Sequence, residues 1–182
     1  MSRLQAINPD QATGQARTLL QGVQSKLGFA PNILRTMANS PAVLQGYLAF
    51  STALSQGNLS PKFREQIALA VSEINDCQYC LAAHAAIGRS EGLSEEDIED
   101  SRRGKSPNTK DGTGLAFTRS LVKNRGWVSD EEVAKLRKVG FDEGAIVELI
   151  GNIALISFTN YFNHVAETEI DFPEVPELQT SV

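Results

Sequence analysis

Between Pro61 and Ile74 the apolar residues recur every three or four positions. Phe63, Ile67, Val71 and Ile74 form one stripe, and Lys62, Gln66 and Glu73 form a polar one. This is the period of an amphipathic helix with one buried face. Glu65 lies off the polar stripe, among Ala68, Leu69 and Ser72, where its carboxylate would be partly buried, whereas Glu73 is expected to stay in water. From Ile146 to Phe162 the chain is apolar almost all round, broken by Glu148, Asn152 and Asn160. Those breaks argue against a membrane span. No alternating run is long enough to predict a strand, so the pattern predicts an all-α fold.

Punctuation supports the same reading. Asn8-Pro9-Asp10-Gln11, Ser40-Pro41 and Ser60-Pro61 each place a capping residue before a proline, predicting helix starts near 9, 41 and 61. Ser129-Asp130-Glu131-Glu132 is a capping box and Ser94-Glu95-Glu96-Asp97 a looser one. Asp142-Glu143 puts acid at the positive end of a long helix running to about Ala166. Gly104 to Gly112 is a polar loop. Its Gly104-Lys105-Ser106 does not make a phosphate loop, because Glu99 stands where the first glycine is required and no strand precedes it. The tail from Phe172 to Glu177, with Pro173 and Pro176, cannot continue a helix and is expected to lie extended.

The length suits one all-helical domain over residues 1–182. Within it we expect an N-terminal helical segment over about 1–57, a core over about 58–103, C-terminal helices over about 113–168, and the tail. A net charge of −5 without a basic stripe makes nucleic acid a poor partner. The N-terminal residues Met1 to Asn8 show no apolar signal region, so a reducing cytoplasm is the expected location. There a CxxC is more often catalytic or metal-binding than a structural staple.

Such a pair is present. Cys77-Gln78-Tyr79-Cys80-Leu81-Ala82-Ala83-His84 holds both cysteines and one of the two histidines of the chain. Asn75 and Asp76 are capping types, so a helix is expected to open at the cysteines and run to Gly88. At about 100° per residue, Cys77, Cys80 and His84 fall within roughly 60° of one another, and two thiols and an imidazole share one face. The positive helix end favours a thiolate there, and by that argument alone favours Cys77. Ala82, Ala83, Ala85 and Ala86 leave room for a second helix to pack closely. Glu65, on the preceding helix, could orient the histidine.

The spacing Glu65-x11-Cys77-x2-Cys80-x3-His84 resembles the alkylhydroperoxidase D branch of the carboxymuconolactone decarboxylase-like superfamily. The runs Arg64 to Glu73 and Gly92-Leu93-Ser94 are similar to its peroxidase-related members, and Pro31-Asn32 and the long final helix extend the likeness. The resemblance implies an AhpD-like helical bundle, a homo-oligomer (trimer or hexamer), and reduction of a hydroperoxide with no cofactor. It also implies a thiol or dithiol reductant, a lipoyl-type protein being one candidate. The roles it carries over are peroxide attack by Cys80, resolution by Cys77, and proton relay by Glu65 and His84. Tyr79 stands where the best-known member has a histidine, and it is grouped with the substrate-binding residues.

Other readings follow from the same residues. Zinc would find three ligands in Cys77, Cys80 and His84, with Glu65, His164 or water as a fourth, but there is no second CxxC. His164 is expected as a hydrogen-bonded core or interface histidine, Trp127 as a packing anchor, and Phe158, Tyr161 and Phe162 as core or subunit contacts. A non-catalytic binding or redox-sensing protein and a general disulfide oxidoreductase remain alternatives to the peroxidase.

Overall fold

The computed structural model describes residues 2–178, and among them are nine α-helices and no strand. In chain order they are α1 (Gly14–Leu27), α2 (Asn32–Met37), α3 (Pro41–Ser55), α4 (Pro61–Ile74), α5 (Gln78–Ser90), α6 (Glu95–Arg102), α7 (Thr109–Lys123), α8 (Asp130–Lys138) and α9 (Glu143–Ala166). Local chemistry sets most of the boundaries. The Ser40 and Ser60 hydroxyls accept from Val43 N and Phe63 N ahead of Pro41 and Pro61. Ser129 and Ser94 both form complete capping boxes, with Glu132 and Asp97 reaching back. Asp142 caps α9 by accepting from Ala145 N.

Three boundaries differ from expectation. Pro9 opens only a single 3₁₀ turn, and α1 begins after Thr13. The polar loop is shorter at its far end, because Asn108 accepts from Asp111 N and starts α7 at Thr109. Asn75 and Asp76 do not cap α5: Asn75 closes α4, and Asp76 takes a left-handed conformation at φ 54°. Cys77 itself is the residue before the first turn of α5. Asp tolerates that backbone region better than most residues.

The helix α4 runs through the centre, packed against α5, α6, α7 and α9. Residues 66 to 72 are all buried, so the expected polar stripe fails at Gln66. Glu73 also departs from expectation, because its carboxylate accepts from Arg102 Nε at 2.7 Å and neutralises a guanidinium that is buried. One apolar cluster joins α4 to α7, α8 and α9 through Phe63, Ile67, Leu115, Leu136, Phe141 and Leu149. A second joins α1, α2 and α3 to Cys77, Tyr79, Cys80 and Ala83 of α5. The tail leaves the helix as expected and packs on its own chain. Phe172 stacks edge-on against Phe29 and Tyr79, Asp171 accepts from Asn32 N, and Arg102 holds Pro176 O.

α9 is long and apolar enough to cross a membrane, yet half of that stretch is buried within the bundle. Its polar residues serve the fold. Both Glu148 carboxylate oxygens are used: Oε2 accepts from Asn58 N at 2.7 Å and Leu59 N at 3.1 Å, and Oε1 from Asn58 Nδ2. Glu148→Ala should therefore cost about 1.5–3 kcal/mol, the range for hydrogen bonds to a charged group. Urea unfolding would show a lower midpoint at unchanged slope, and an unchanged midpoint would contradict this. One expectation about ring side chains fails, since Trp127 is 82% exposed rather than an anchor. Of the two places expected for His164 the core is ruled out: the ring is exposed, with its Nε2 3.4 Å from Asp76 O.

Candidate active site

A connection of three residues folds α5 back along α4, and Cys77 N donates to Ser72 O at 2.9 Å. This hairpin places His84 opposite Glu65. Gly88 leaves room for Leu93, since a Cβ there would lie 2.7 Å from Leu93 Cδ1, while its 3.8 Å from Glu65 Cβ would be ordinary contact. Both cysteines are free thiols and buried, at 1% and 2% exposure. Behind them α9 contributes Asn163, whose Nδ2 stands 3.2 Å from Cys80 Sγ and 3.9 Å from Cys77 Sγ. Asn160 is locked beside it by Asn75 and Ser72.

The two thiols are not equivalent. Cys80 is drawn down to about 6, chiefly because the Cys77 thiol donates to it; burial opposes this, and the His84 charge and the Asn160 and Asn163 amides reinforce it. Cys77 moves up, because it gives its proton to Cys80, is buried, and faces the Cys80 charge. A thiolate held by donors near neutral pH is the reactive form of cysteine. The rate of Cys80 alkylation by iodoacetamide should accordingly rise with a midpoint near pH 6. A midpoint above about 8, the ordinary thiol range, would contradict this.

Glu65 Oε2 and His84 Nδ1 are 2.7 Å apart, and both side chains are largely buried. Burial alone would lower the histidine, but the Glu65 charge and hydrogen bond, with the Cys80 charge, raise it overall. Nδ1 is thereby fixed as a donor, and Nε2 is the nitrogen left for other chemistry. Cys80 and His84 both line an apolar cavity of about 200 Å³, walled by Phe29, Tyr47, Tyr79 and Phe172 among others. His84 and Glu65 also border a second cavity of about 150 Å³ on their far side, with Arg64 and Asn152. The pair thus stands between the thiol and a separate polar space.

Residues 41–107, from the start of α3 to the loop beyond α6, match the Carboxymuconolactone decarboxylase family. The fold is shared over nearly the whole chain with solved structures. A peroxidase-related protein of Ralstonia eutropha JMP134, described as an alkylhydroperoxidase AhpD core, superposes with a TM-score of 0.82 at 24% identity, over 93% of this chain and 92% of that one. The likeness is to the carboxymuconolactone decarboxylase family over residues 41–107 and to the AhpD-like fold over nearly the whole chain. A peroxidase-related protein of Silicibacter sp. TM1040 gives 0.79 at 24% identity, over 93% and 94% of the two chains. The debrominase Bmp8, solved with 2,3,4-tribromopyrrole, gives 0.80 at 19% identity, over 94% and 92%. A Haemophilus influenzae protein is 48% identical over 46 residues, a quarter of this chain and about two-fifths (41%) of the relative's length.

Glu65, Cys77, Cys80 and His84 all lie within the matched superfamily segment, as do Tyr47 and Tyr79. Tyr79 lines the apolar cavity through its ring, but its hydroxyl is fully engaged, donating to Asp171 Oδ1 at 2.7 Å and accepting from Ile33 N at 3.2 Å. It cannot replace a proton-handling histidine while so held. Tyr47 is a site residue that no sequence pattern announces. Its phenol is pushed up to about 12, first by burial and then by the Cys80 and Glu65 charges, so it keeps its proton. Asn160, Asn163 and Thr159 lie outside the matched segment, on α9. Among the described residues no three His, Cys, Asp or Glu side chains converge as a metal site.

Proposed function

We propose that this protein is a thiol-dependent peroxidase, which reduces organic hydroperoxides through a Cys77–Cys80 dithiol–disulfide cycle with Glu65 and His84 as proton relay. One observation carries the reading. The thiol favoured as thiolate, Cys80, lines an apolar cavity beside a histidine bonded to a buried carboxylate. Apolar walls suit an alkyl or aryl group, and the reacting atoms sit where it would enter.

The steps balance. Cys80 thiolate attacks the terminal oxygen of ROOH, the O–O bond breaks, and the departing alkoxide takes a proton from His84 to leave as ROH. Tyr47 offers a second donor to that oxygen. Cys80 is then a sulfenic acid, and the Cys77 sulfur displaces its hydroxyl, giving the disulfide and water. Attack by Cys80 rather than Cys77 is favoured because Cys77 holds its proton while Cys80 does not. Mild oxidation should remove two hydrogens from the tryptic peptide 65–89, which contains both cysteines. Sulfinic acid on Cys80 with Cys77 left free would overturn the resolving role.

The same reading includes a homo-oligomer in a reducing compartment. Val147, Ile150, Phe158, Tyr161 and Val165 lie exposed along α9, an apolar stripe of about five turns that one chain leaves uncovered. Light scattering at micromolar concentration should give a multiple of 19.7 kDa, and 19.7 kDa itself would contradict this.

A further inference from the structure

The two sulfurs face different spaces. Cys80 lines the apolar cavity and Cys77 does not. Cys77 lines instead an open cleft of about 610 Å³, bordered by Asn75 and Asp76 of the α4–α5 turn, by Asn163 and His164 of the last turn of α9, and by Glu167 and Thr168 beyond it. Tyr79 is the one residue common to both walls, and its hydroxyl is pinned on either side by Ile33 and Asp171. It therefore partitions the thiol pair into an apolar side and a polar side. Behind this wall, Asn163 Oδ1 and Thr168 Oγ1 are buried and make no hydrogen bond among the described residues.

We propose that the oxidised pair is reduced from this second side: the cleft admits a thiol or dithiol reductant, which attacks Cys77 Sγ, while peroxide reaches Cys80 through the apolar cavity. The proposal rests on the dithiol cycle described above. Attack on Cys77 expels Cys80 as thiolate, and attack on Cys80 would expel Cys77. Exchange prefers the better-stabilised leaving thiolate, and Cys80 has the Asn163 amide and His84 to receive the charge. For a dithiol, the first sulfur bonds to Cys77 as the Cys77–Cys80 bond breaks and its electron pair leaves on Cys80. The second sulfur then attacks the first, closing the reductant's own disulfide and releasing Cys77. Of the two reductant protons, one stays on Cys77 and one passes to solvent. Asp76 and Glu167 line the cleft, so a neutral dithiol fits it better than the anionic tripeptide glutathione.

The test uses protein oxidised with diamide, so that it does not depend on any reaction with peroxide. A brief exposure to limiting 2-mercaptoethanol, quenched with iodoacetamide, should leave the mercaptoethanol adduct on Cys77 and the alkyl group on Cys80. The reverse placement overturns the proposal. In parallel, Gln78→Trp, at the exposed rim of the cleft, should slow reduction by dithiothreitol about tenfold, while Ile87→Trp, at the exposed rim of the apolar cavity, should leave it unchanged. Equal slowing by both, or wild-type reduction in Gln78→Trp, also overturns it. If the adduct forms on Cys77 but cumene hydroperoxide leaves the reduced protein untouched, the reductant site stands and the peroxidase reading falls alone.

Discussion

Cys80→Ser should abolish hydroperoxide consumption, whereas Cys77→Ser should still react once and stop as a sulfenic acid on Cys80 that dimedone captures. The expectation follows from the unequal environments of the two sulfurs. Cys80 accepts from the Cys77 thiol, has the Asn163 amide at 3.2 Å and lines the apolar cavity beside His84. Cys77 is pushed up, has Asn163 only at 3.9 Å, and is absent from that cavity's wall. Serine cannot form a nucleophilic anion near neutral pH, so the loss in Cys80→Ser is of the whole chemical step. Removing Cys77 takes away the strongest donor to Cys80, so the first turnover should also slow in Cys77→Ser and its pH midpoint rise. Dimedone labelling of Cys77 in an active Cys80→Ser protein would reverse the assignment.

The second large effect concerns the proposed proton relay. Glu65→Gln and His84→Gln should each lower the second-order rate with cumene hydroperoxide by roughly 10²–10⁴-fold, the usual worth of general acid–base help. His84 is raised above the ordinary imidazole range because the Glu65 carboxylate, 2.7 Å from Nδ1, and the Cys80 charge more than offset the cost of burying its charge. In the Glu65→Gln variant that carboxylate charge is gone, burial dominates, and the imidazole arrives neutral at neutral pH. In the His84→Gln variant the leaving alkoxide has lost its donor. Both changes remove one function, so the double variant should be scarcely slower than the worse single one. Circular dichroism should show all three folded. A wild-type rate in Glu65→Gln, with His84→Gln impaired, would make Glu65 a structural acid only.

The parts of this site that are legible in the sequence are those close together along it. Serine–proline pairs, capping boxes and the Asp142 cap act within one turn, so α3, α4, α6, α8 and α9 begin where residue types say they should. Glu65, Cys80 and His84 lie on two helices joined by a three-residue turn that ends in Cys77, and local periodicity brings the four together without knowledge of the rest of the fold. Residue type alone does not say which helix end a cap serves, and for that reason Asn75 and Asp76 point to the wrong helix.

What stays hidden depends on long-range packing. Asn163 meets Cys77 from 86 residues away, and no local pattern announces it. Asn160 is visible as a rare amide in the most apolar stretch, but from sequence it reads as an interruption of a span rather than as a partner for another helix. In the structure Asn160 ties α9 to α4, and Asn163, just beyond that stretch, serves the thiols. Gln66 and Glu73 lie on a polar stripe that exists only for an isolated helix. Once α6 and α9 cover α4, Gln66 is enclosed and Glu73 finds Arg102. Tyr47 belongs to α3, whose contribution to the cavity becomes visible only when α3 packs against α1, α2 and α9.

The central claim is that one dithiol consumes one peroxide, and an anaerobic thiol titration tests this most directly. Reduced protein should show both of its cysteines as free thiols. After a single equivalent of cumene hydroperoxide it should show none, with an equal amount of cumyl alcohol formed and the chain still a single species without intermolecular cross-links. Undiminished thiols beside unconsumed peroxide would contradict the peroxidase reading outright.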